Sequence, residues 1–235
     1  MKHGVFNGRN KALTFSFDDG NVDDIRLIEI MNKYGLKGTF NLNSGIMTHA
    51  NFWRFSDVKD VYHINFTDCP DLYKGHEVAC HSYTHPDLTK LDRNTVFNEI
   101  KTDKLLLDLM YNQNTEGFAY PFGTYNEEVV SVLVECGLKY ARTVNSTYDF
   151  ELPNEPLVWN PTCHFKDEKT EELVQKFIEL EDRDAVFYIW GHSYELVTEE
   201  DWQRFEKLCE KLAFKDDISY CTNIEIISYI TDKDA

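Results

Sequence analysis

Short apolar runs alternate along the chain with segments in which apolar residues recur at helical spacing. Continuous or alternating apolar runs predict strands, and spacings of three and four residues predict helices. The strands predicted in this way span 12–17, 38–42, 77–80, 117–120, 140–144, 158–163, 185–190 and 218–221. The predicted helices span 22–34, 94–111, 127–136, 170–180, 199–212 and 223–230. Strand and helix therefore alternate over most of the sequence.

This alternation indicates a parallel sheet whose strands are joined by right-handed helical crossovers. In 235 residues without a clear linker, it favours an α/β fold with mainly parallel strands, closed into a distorted barrel. A doubly wound open sheet is the alternative, because a pattern of apolar positions does not show whether a sheet closes. Residues 46–74 have no sustained period, and we expect them to form a long excursion from the alternation.

Composition and charge limit the kinds of molecule that the protein is expected to bind. Hydrophobic residues make up 42% of the chain, which is enough to build a core and excludes a disordered protein. Asp and Glu number 41 against 24 Lys and Arg, so the formal net charge is −17. No basic run provides the footprint that a phosphate backbone requires, and this charge repels anionic membranes. We therefore expect neither nucleic acid nor a membrane as a partner; the oligomeric state is not predicted.

The amino-terminal residues and the cysteines bear on the cellular compartment. The sequence begins without an apolar signal segment and contains no apolar run long enough to cross a bilayer. Its six cysteines are scattered, lack a C-x-x-C pair and mostly lie in apolar runs, which indicates buried, reduced thiols. These features predict a cytoplasmic protein, and an extracellular one only if a signal was trimmed.

Polar groups follow four of the predicted strands at their carboxyl ends. These groups are Asp18-Asp19-Gly20, His81 to His85, Pro121-Phe122-Gly123 and Gly191-His192-Ser193. In parallel α/β folds the carboxyl ends of the strands share one edge, where catalytic side chains gather. We therefore expect the four groups to meet at one site.

His81 and His85 are candidate metal ligands. They are four residues apart and can point in one direction within a single turn, and imidazole is the commonest metal ligand in proteins. Pro86 disfavours helical geometry at His85, so the segment is expected to be a short turn. One carboxylate of Asp18 or Asp19 would complete a face of two histidines and one carboxylate with open positions. The alternative is two polar loop residues without a metal.

The second carboxylate fits metal-assisted hydrolysis, in which a separate base removes a proton from the attacking water. Spacing alone does not decide whether Asp18 or Asp19 is the base, and both could instead cap the helix that begins near Asp23. His192 is the natural general acid, with a packed structural histidine as the alternative. Backbone N–H groups of Phe122 and Gly123 could stabilise a developing oxyanion.

These motifs resemble those of the polysaccharide deacetylases, carbohydrate esterases that remove acetyl groups from amino sugars or acetylated glycans. Thr14 to Gly20 is similar to the family motif T-F-D-D-G, His81 to His85 to a loose H-[ST]-x-x-x-H, and Gly75 to Val78 to the approach to that motif. The resemblance covers essentially the whole chain. It implies a distorted (β/α)7 barrel and one catalytic domain over residues 1–235.

The resemblance also implies a role for each site residue. Asp18 would be the catalytic base, while Asp19, His81 and His85 would bind one divalent metal ion. Zinc is the preferred ion, with cobalt, manganese, nickel and iron as alternatives. His192 stands where the Leu-x-His motif of the family supplies the acid. The implied substrate is an acetylated saccharide, with N-acetyl preferred to O-acetyl.

The third family motif, R-x-P-Y-G, is altered in this chain to Ala119-Tyr120-Pro121-Phe122-Gly123. Tyr120, Pro121 and Phe122 would still form the substrate and oxyanion side of the site, because Phe122 keeps its backbone N–H. The arginine that braces the base is missing at Ala119. Arg142, in the next predicted strand, is the candidate replacement, with a surface salt bridge as the alternative.

The fourth family motif, an Asp–Trp pair that orients the acid histidine, has only Asp149 and Trp159 as candidates. The resulting hypothesis is a metal-dependent carbohydrate deacetylase. Its alternatives are a hydrolase of a small non-sugar amide or cyclic imide, and a catalytically silent carbohydrate-binding module. A module that only binds carbohydrate needs neither Asp18 nor His192, so their presence argues against a catalytically silent protein. An Fe(II) oxygenase is disfavoured by the second aspartate and by the α/β pattern.

Overall fold

Parallel strands and flanking helices make up most of the computed structural model, which describes residues 4–47, 51–181 and 183–231. Its strands are β1 (Lys11–Asp18), β2 (Gly38–Leu42), β3 (Phe52–Ser56), β4 (Lys59–Tyr62), β5 (Glu77–Cys80), β6 (Gly117–Ala119), β7 (Tyr140–Arg142), β8 (Cys163–His164), β9 (Ala185–Gly191) and β10 (Ile218–Tyr220). Its helices are α1 (Asp24–Lys33), α2 (Arg93–Tyr111), α3 (Glu127–Glu135), α4 (Thr170–Glu179), α5 (Glu199–Leu212) and α6 (Asn223–Thr231).

The main sheet has the strand order β7-β6-β5-β2-β1-β9-β8, and β10 pairs with the first residues of β1. Each of its strand pairs is parallel. Edge strand β7 meets the segment that precedes the other edge strand, β8, through a bridge between Arg142 and Trp159, so the sheet curls into a half-barrel. The predicted parallel β/α architecture of the distorted-barrel type is confirmed, and the carboxyl ends of the strands share one edge.

The core explains why these segments pair. All eight residues of β1 are buried, as expected of a central parallel strand covered on both faces. Phe15 and Phe17 lie beneath α5, where both contact Phe205. The amphipathic α5 begins at a reciprocal capping box between Thr198 and Asp201, which satisfies amide donors at its first turn.

Two predicted segments differ from the structure. The predicted strand 158–163 is wrong over most of its length: a 3-10 turn covers Pro156–Val158, and only Cys163–His164 pairs as β8. Pro161 explains the interruption, because proline has no N–H to donate to a sheet. The excursion 46–74 contains the antiparallel hairpin β3–β4, and its residues 48–50 lie outside the described part.

The cysteines and the helices are relevant to the predicted cellular compartment. All six cysteines are free, and five of them are buried. Among the described residues, no helix is both long enough and apolar enough to cross a bilayer.

Candidate active site

The four polar groups that follow predicted strands meet around one cavity of about 460 Å³ at the carboxyl edge of the sheet. The residues lining it are Asp18, Asp19, His81, His85, Tyr120, Phe122, Val144, Trp190, His192 and Tyr194. The predicted base, metal ligands and acid are therefore neighbours in space, although they come from the ends of β1, β5 and β9.

Asp19, His81 and His85 form a triad whose geometry fits a metal ion. Asp19 Oδ1 lies 3.6 Å from Nε2 of His81 and 3.6 Å from Nε2 of His85. Two ligands bound at about 2.1 Å to a tetrahedral ion lie about 3.4 Å apart, which is close to these separations. The Nδ1–H of His81 donates to the carbonyl of Ala119 at 2.8 Å, and this leaves Nε2 free to coordinate. Two imidazole nitrogens and one carboxylate oxygen are ligands that suit a divalent ion such as zinc.

Left-handed backbone conformations orient side chains of the triad. Asp19 has a φ of 77° and His85 a φ of 61°, values uncommon for residues other than glycine. Ser82, between the two histidines, has a φ of 65°, and its Oγ accepts the N–H of His85 at 3.1 Å. Such strained positions concentrate at functional sites, where the surrounding structure holds them. The turns after β1 and β5 therefore bring the three side chains of the triad together.

Asp18 is a buried carboxylate that is held ionised. It is 3% exposed and accepts a hydrogen bond from Asn41 Nδ2 at 2.7 Å. Burial alone would raise its pKa, but the charges of Arg142, His81 and His192 outweigh burial and hold the pKa well below the ordinary value. A carboxylate in this state can accept a proton, which is what a general base requires.

Arg142, at the end of edge strand β7, pairs with Asp18 at the end of β1 across the half-barrel. Its guanidinium donates to Asp18 Oδ2 and to the carbonyl of Thr143, and the ring of Trp190 lies 4.5 Å from it. The side chain is fully buried, so the pair is not a surface salt bridge. Arg142 thus contacts Asp18, the predicted base, which the methyl group of Ala119 cannot brace.

Glu195 forms a hydrogen bond with His192, a contact that the sequence pattern did not predict. Glu195 Oε1 accepts from His192 Nδ1 at 2.9 Å, so His192 Nε2 faces the aspartates, 3.8 Å from Asp18 Oδ2. Burial lowers the pKa of His192, but the Glu195 hydrogen bond and the charges of Asp19 and Asp18 raise it to about 9. The available sequence signal was the i, i+3 spacing, because the 3-10 turn Ser193–Glu195 folds the carboxylate back.

His164 completes this arrangement on the other side of Glu195. Its Nε2 lies 2.9 Å from Glu195 Oε2, and its Nδ1 accepts the backbone N–H of Lys166 at 3.1 Å. Because Nδ1 is an acceptor, Nε2 carries the proton and faces the Glu195 carboxylate. His164, His192 and Glu195 also offer three closely spaced ligand atoms, but the contacts of both histidines with Glu195 already account for that spacing.

Neither residue proposed for the fourth motif orients His192. Trp159 packs between Tyr140 and Tyr188, and Asp149 accepts the N–H of Glu151 in a local turn. Those two candidates are wrong, because the loop before β8 directs them away from the cavity. The carboxylate that contacts His192 comes from its own loop.

The altered third motif forms a 3-10 turn, Pro121–Gly123, beside the cavity. Pro121 is buried and starts this turn, whose Gly123 N–H donates to the Tyr120 carbonyl at 2.8 Å. The Tyr120 hydroxyl donates to the Leu157 carbonyl at 2.7 Å. Phe122 is 62% exposed, and its ring contacts His85. Because the Gly123 N–H already donates within the turn, the backbone N–H of Phe122 is the remaining candidate donor to an oxyanion.

A curled parallel sheet with carboxylates and histidines at its carboxyl edge is typical of β/α-barrel enzymes. The chain belongs to the polysaccharide deacetylase family, whose model matches residues 7–141. It is 31% identical over 134 residues to a chitin deacetylase of Arthroderma benhamiae, covering 56% of this chain and 32% of that protein. It is 27% identical over 154 residues to the peptidoglycan-N-acetylglucosamine deacetylase PgdA of Listeria monocytogenes, covering 63% and 29%. The alignments thus span about a third of each relative.

Two solved structures share the fold. The deacetylase PplD of Streptococcus pyogenes, in complex with acetate, is 26% identical with a TM-score of 0.53, covering 62% of this chain and 61% of that chain. A family 4 carbohydrate esterase of Streptomyces lividans is 19% identical with a TM-score of 0.56, covering 87% and 88%. The fold of the chain is therefore the (β/α)7 fold of these esterases.

Proposed function

We propose that this protein is a metal-dependent hydrolase that removes acetyl groups from a saccharide, with the N-acetyl group preferred. The observation that carries the proposal is the placement of an ionised buried aspartate, a metal-type triad and a carboxylate-held histidine around one cavity. Acyl hydrolysis needs these three functions: a base, an electrophilic centre and an acid. Family membership supports the same reaction.

Asp19, His81 and His85 would hold one divalent ion, with zinc preferred because nitrogen and oxygen ligands in a tetrahedral arrangement suit it. The bound ion would polarise the acetyl carbonyl and lower the pKa of water. Burial lowers the pKa of His81 to about 4, which keeps this ligand neutral and its Nε2 lone pair available. His81 would therefore bind an ion near neutral pH without first losing a proton.

The proton transfers would be divided between Asp18 and His192. Asp18, ionised beside Arg142, would accept the proton of the attacking water. His192, whose Nδ1–H is held by Glu195, would donate its Nε2 proton to the departing sugar amine. The backbone N–H of Phe122 would donate to the oxygen that becomes negative as water adds. After both transfers Asp18 carries one extra proton and His192 lacks one, so loss of the proton from Asp18 and reprotonation of His192, directly or through solvent, would restore the starting state.

The substrate class follows from the cavity and from the relatives. A cavity of about 460 Å³ falls in the range of small-molecule sites, and its side walls are aromatic. Apolar rings with a few polar groups suit a neutral sugar that carries an acetyl group. Two aligned relatives are named for chitin and for peptidoglycan N-acetylglucosamine, which supports the N-acetyl preference.

Acetate release tests the proposal. The purified protein would be incubated with N-acetylglucosamine oligosaccharides, O-acetylated xylo-oligosaccharides and simple acetamides, with a chelator or with Zn²⁺, Co²⁺ or Mn²⁺. We expect metal-dependent acetate release from the N-acetylated sugars. Equal release with chelator would contradict the metal, and release from simple acetamides alone would contradict the sugar substrate.

Metal analysis tests the triad separately from turnover. His81→Ala and His85→Ala should each lower bound zinc well below the wild-type content, because two ligands do not hold the ion as three do. His164→Ala is the matched control: it removes a histidine from the neighbouring cluster and should leave the metal content unchanged. Normal content in both triad variants would contradict the assignment.

A further inference from the structure

The hairpin β3–β4 stands directly beside the candidate active site. The backbone N–H of Ile64, which follows the hairpin, donates to the Gly20 carbonyl at 2.9 Å. The ammonium of Lys59 pairs with Asp23 at 2.9 Å and donates to the Leu196 carbonyl at 3.3 Å. The hairpin is thus tied to the segment after the two aspartates and to the loop after β9. These contacts fix its position relative to the cavity.

Aromatic rings form a continuous row from the cavity to this hairpin. The Tyr194 ring lines the cavity and lies 4.9 Å from the His192 ring, measured between centroids. On its other side, Tyr194 contacts Trp53 at 5.2 Å and Phe55 at 4.9 Å. Trp53 and Phe55 therefore extend the aromatic wall beyond the point where the acetyl group would react.

The outer end of this row is exposed and locally neutral. Phe55 is 40% exposed and Trp53 half-buried, although apolar rings gain free energy from burial. The hairpin has two basic and two acidic side chains, and its two cations are paired: Arg54 with Asp60, and Lys59 with Asp23. An exposed apolar surface next to a cavity usually marks a binding site. Its charge balance suits an uncharged ligand.

We propose that Trp53, Phe55 and Tyr194 form a subsite for the sugar ring adjacent to the one that is deacetylated. This inference rests on the proposed function and deepens it, because it names linked saccharides as the substrates. A pyranose ring presents C–H groups on one face, which pack against the negative face of an aromatic ring, while its hydroxyls stay in water. The row of rings leads from the catalytic histidine to such a surface without an intervening charge.

The hairpin supplies its own matched control in Phe52. Successive side chains of a strand point to opposite faces, so Phe52 lies on the other face from Trp53. It is 58% exposed and stacks on Tyr62 at 5.3 Å. Truncating Phe52 removes a similar exposed ring from the same element without touching Tyr194.

Kinetics on substrates of different length test the subsite. With N-acetylglucosamine oligosaccharides, Phe55→Ala should raise KM about fivefold to tenfold with kcat preserved, as the loss of one aromatic contact predicts. With the N-acetylglucosamine monomer and with p-nitrophenyl acetate, Phe55→Ala should behave like wild type. Phe52→Ala should change none of these values. An unchanged oligosaccharide KM in Phe55→Ala, or an equal rise in Phe52→Ala, would overturn the subsite while acetate release still supports the proposed function.

Binding provides a readout that does not need turnover. Titration of the Asp18→Asn variant with chitooligosaccharides, followed by calorimetry, should give a Kd that rises about fivefold to tenfold when Phe55→Ala is added. Binding that depends on Phe55, together with no acetate release from any saccharide by the wild-type protein, would support the subsite and contradict the deacetylase function. Binding that does not depend on Phe55 would overturn the subsite whatever the activity.

Discussion

Asp18 and Asp19 are consecutive residues with different surroundings. Asp18 ends β1 in a buried position against Arg142 and Asn41, whereas Asp19 turns toward His81 and His85. Asp18→Asn should therefore keep the metal and lose about 10²-fold or more in kcat, since an amide accepts no proton. Asp19→Asn should lose metal affinity as well. Metal content and acetate release measured on both variants separate the roles, and equal metal content and equal activity would refute the division.

Arg142 and Asp18 form a buried ion pair whose members depend on each other. Arg142→Met leaves a buried carboxylate without its counter-charge, so we expect the free energy of unfolding to fall by about 3–5 kcal/mol. Adding Asp18→Asn removes that charge and should recover most of the loss. Urea unfolding at fixed metal concentration measures both. Arg93→Met, which breaks the exposed pair with Glu135, is the control and should cost less than about 1 kcal/mol.

His192 is expected to act as the proton donor, with Glu195 as its positioning residue. His192→Ala should slow amide cleavage by about 10²–10⁴-fold, because a sugar amine leaves only when protonated. Cleavage of p-nitrophenyl acetate should fall far less, since nitrophenolate leaves without a proton. Glu195→Gln should show the same selectivity with a smaller loss, because a neutral amide holds the imidazolium less firmly. Equal losses on both substrates would rule out the donor role.

At the scale of elements, α2 supports the metal-type triad through one buried aspartate. Asp103 Oδ1 accepts the N–H and Oγ–H of Ser44, and Oδ2 accepts the N–H of His81 at 3.0 Å. The helix thereby ties the loop after β2 to the end of β5. Through this contact α2 helps to position the site, although none of its side chains lines the cavity.

Asp103→Asn should weaken both stability and the metal site. An amide presents N–H groups where the carboxylate accepted hydrogen bonds, so about 1–3 kcal/mol of unfolding free energy should be lost. Zinc affinity should fall about tenfold, as is typical when an outer contact of a ligand is removed. Competition with a chelator measures it. Leu109→Ala, at an exposed position of α2, is the control; unchanged zinc affinity in Asp103→Asn would contradict the supporting role.

At the scale of the whole molecule, Glu77 links distant parts of the sheet from the interior. Its carboxylate accepts from Thr39 of β2 at 2.8 Å, from Tyr140 of β7 at 2.8 Å and from the N–H of Ile224 in α6 at 2.9 Å. Burial raises the pKa of Glu77 to about 7, against the opposing effect of these hydrogen bonds. A carboxyl group inside the fold is therefore protonated at pH values where the unfolded chain is ionised.

This shift makes stability depend on pH. Between about pH 4.5 and pH 7 the Glu77 carboxyl binds more protons in the folded protein than in the unfolded chain, so its contribution to the unfolding free energy falls as pH rises through this range. The contribution of Glu77 reaches about 1.4 kcal/mol per pH unit. Glu77→Gln should flatten the profile, measured by urea unfolding at several pH values. Glu116→Gln, next to exposed Lys139, should not; a profile unchanged in Glu77→Gln would contradict the assignment.

Local pattern was sufficient for the strand and helix succession and for placing the two aspartates and the two histidines at one edge. A parallel sheet requires buried apolar strands, and the carboxyl ends of such strands lie on one edge, so motifs at those ends are expected to be neighbours. The choice of Asp19 as the ligand beside His81 and His85 came from the family resemblance, because spacing alone did not separate it from Asp18. The prediction of a strand at 158–163 was wrong because Pro161 interrupts the pairing. The pattern of apolar residues does not show where a backbone N–H is missing.

The supporting contacts were decided by tertiary structure. Arg142 and Asp18 are 124 residues apart, and their pairing depends on how the half-barrel curls, which no local pattern reports. His164 reaches Glu195 only because β8 lies beside β9 in the sheet. The hairpin β3–β4 meets Tyr194 through loops whose paths are set by side-chain packing. Chain-local spacing determines which groups occupy a strand end, whereas contacts between distant segments depend on strand order, curvature and loop path.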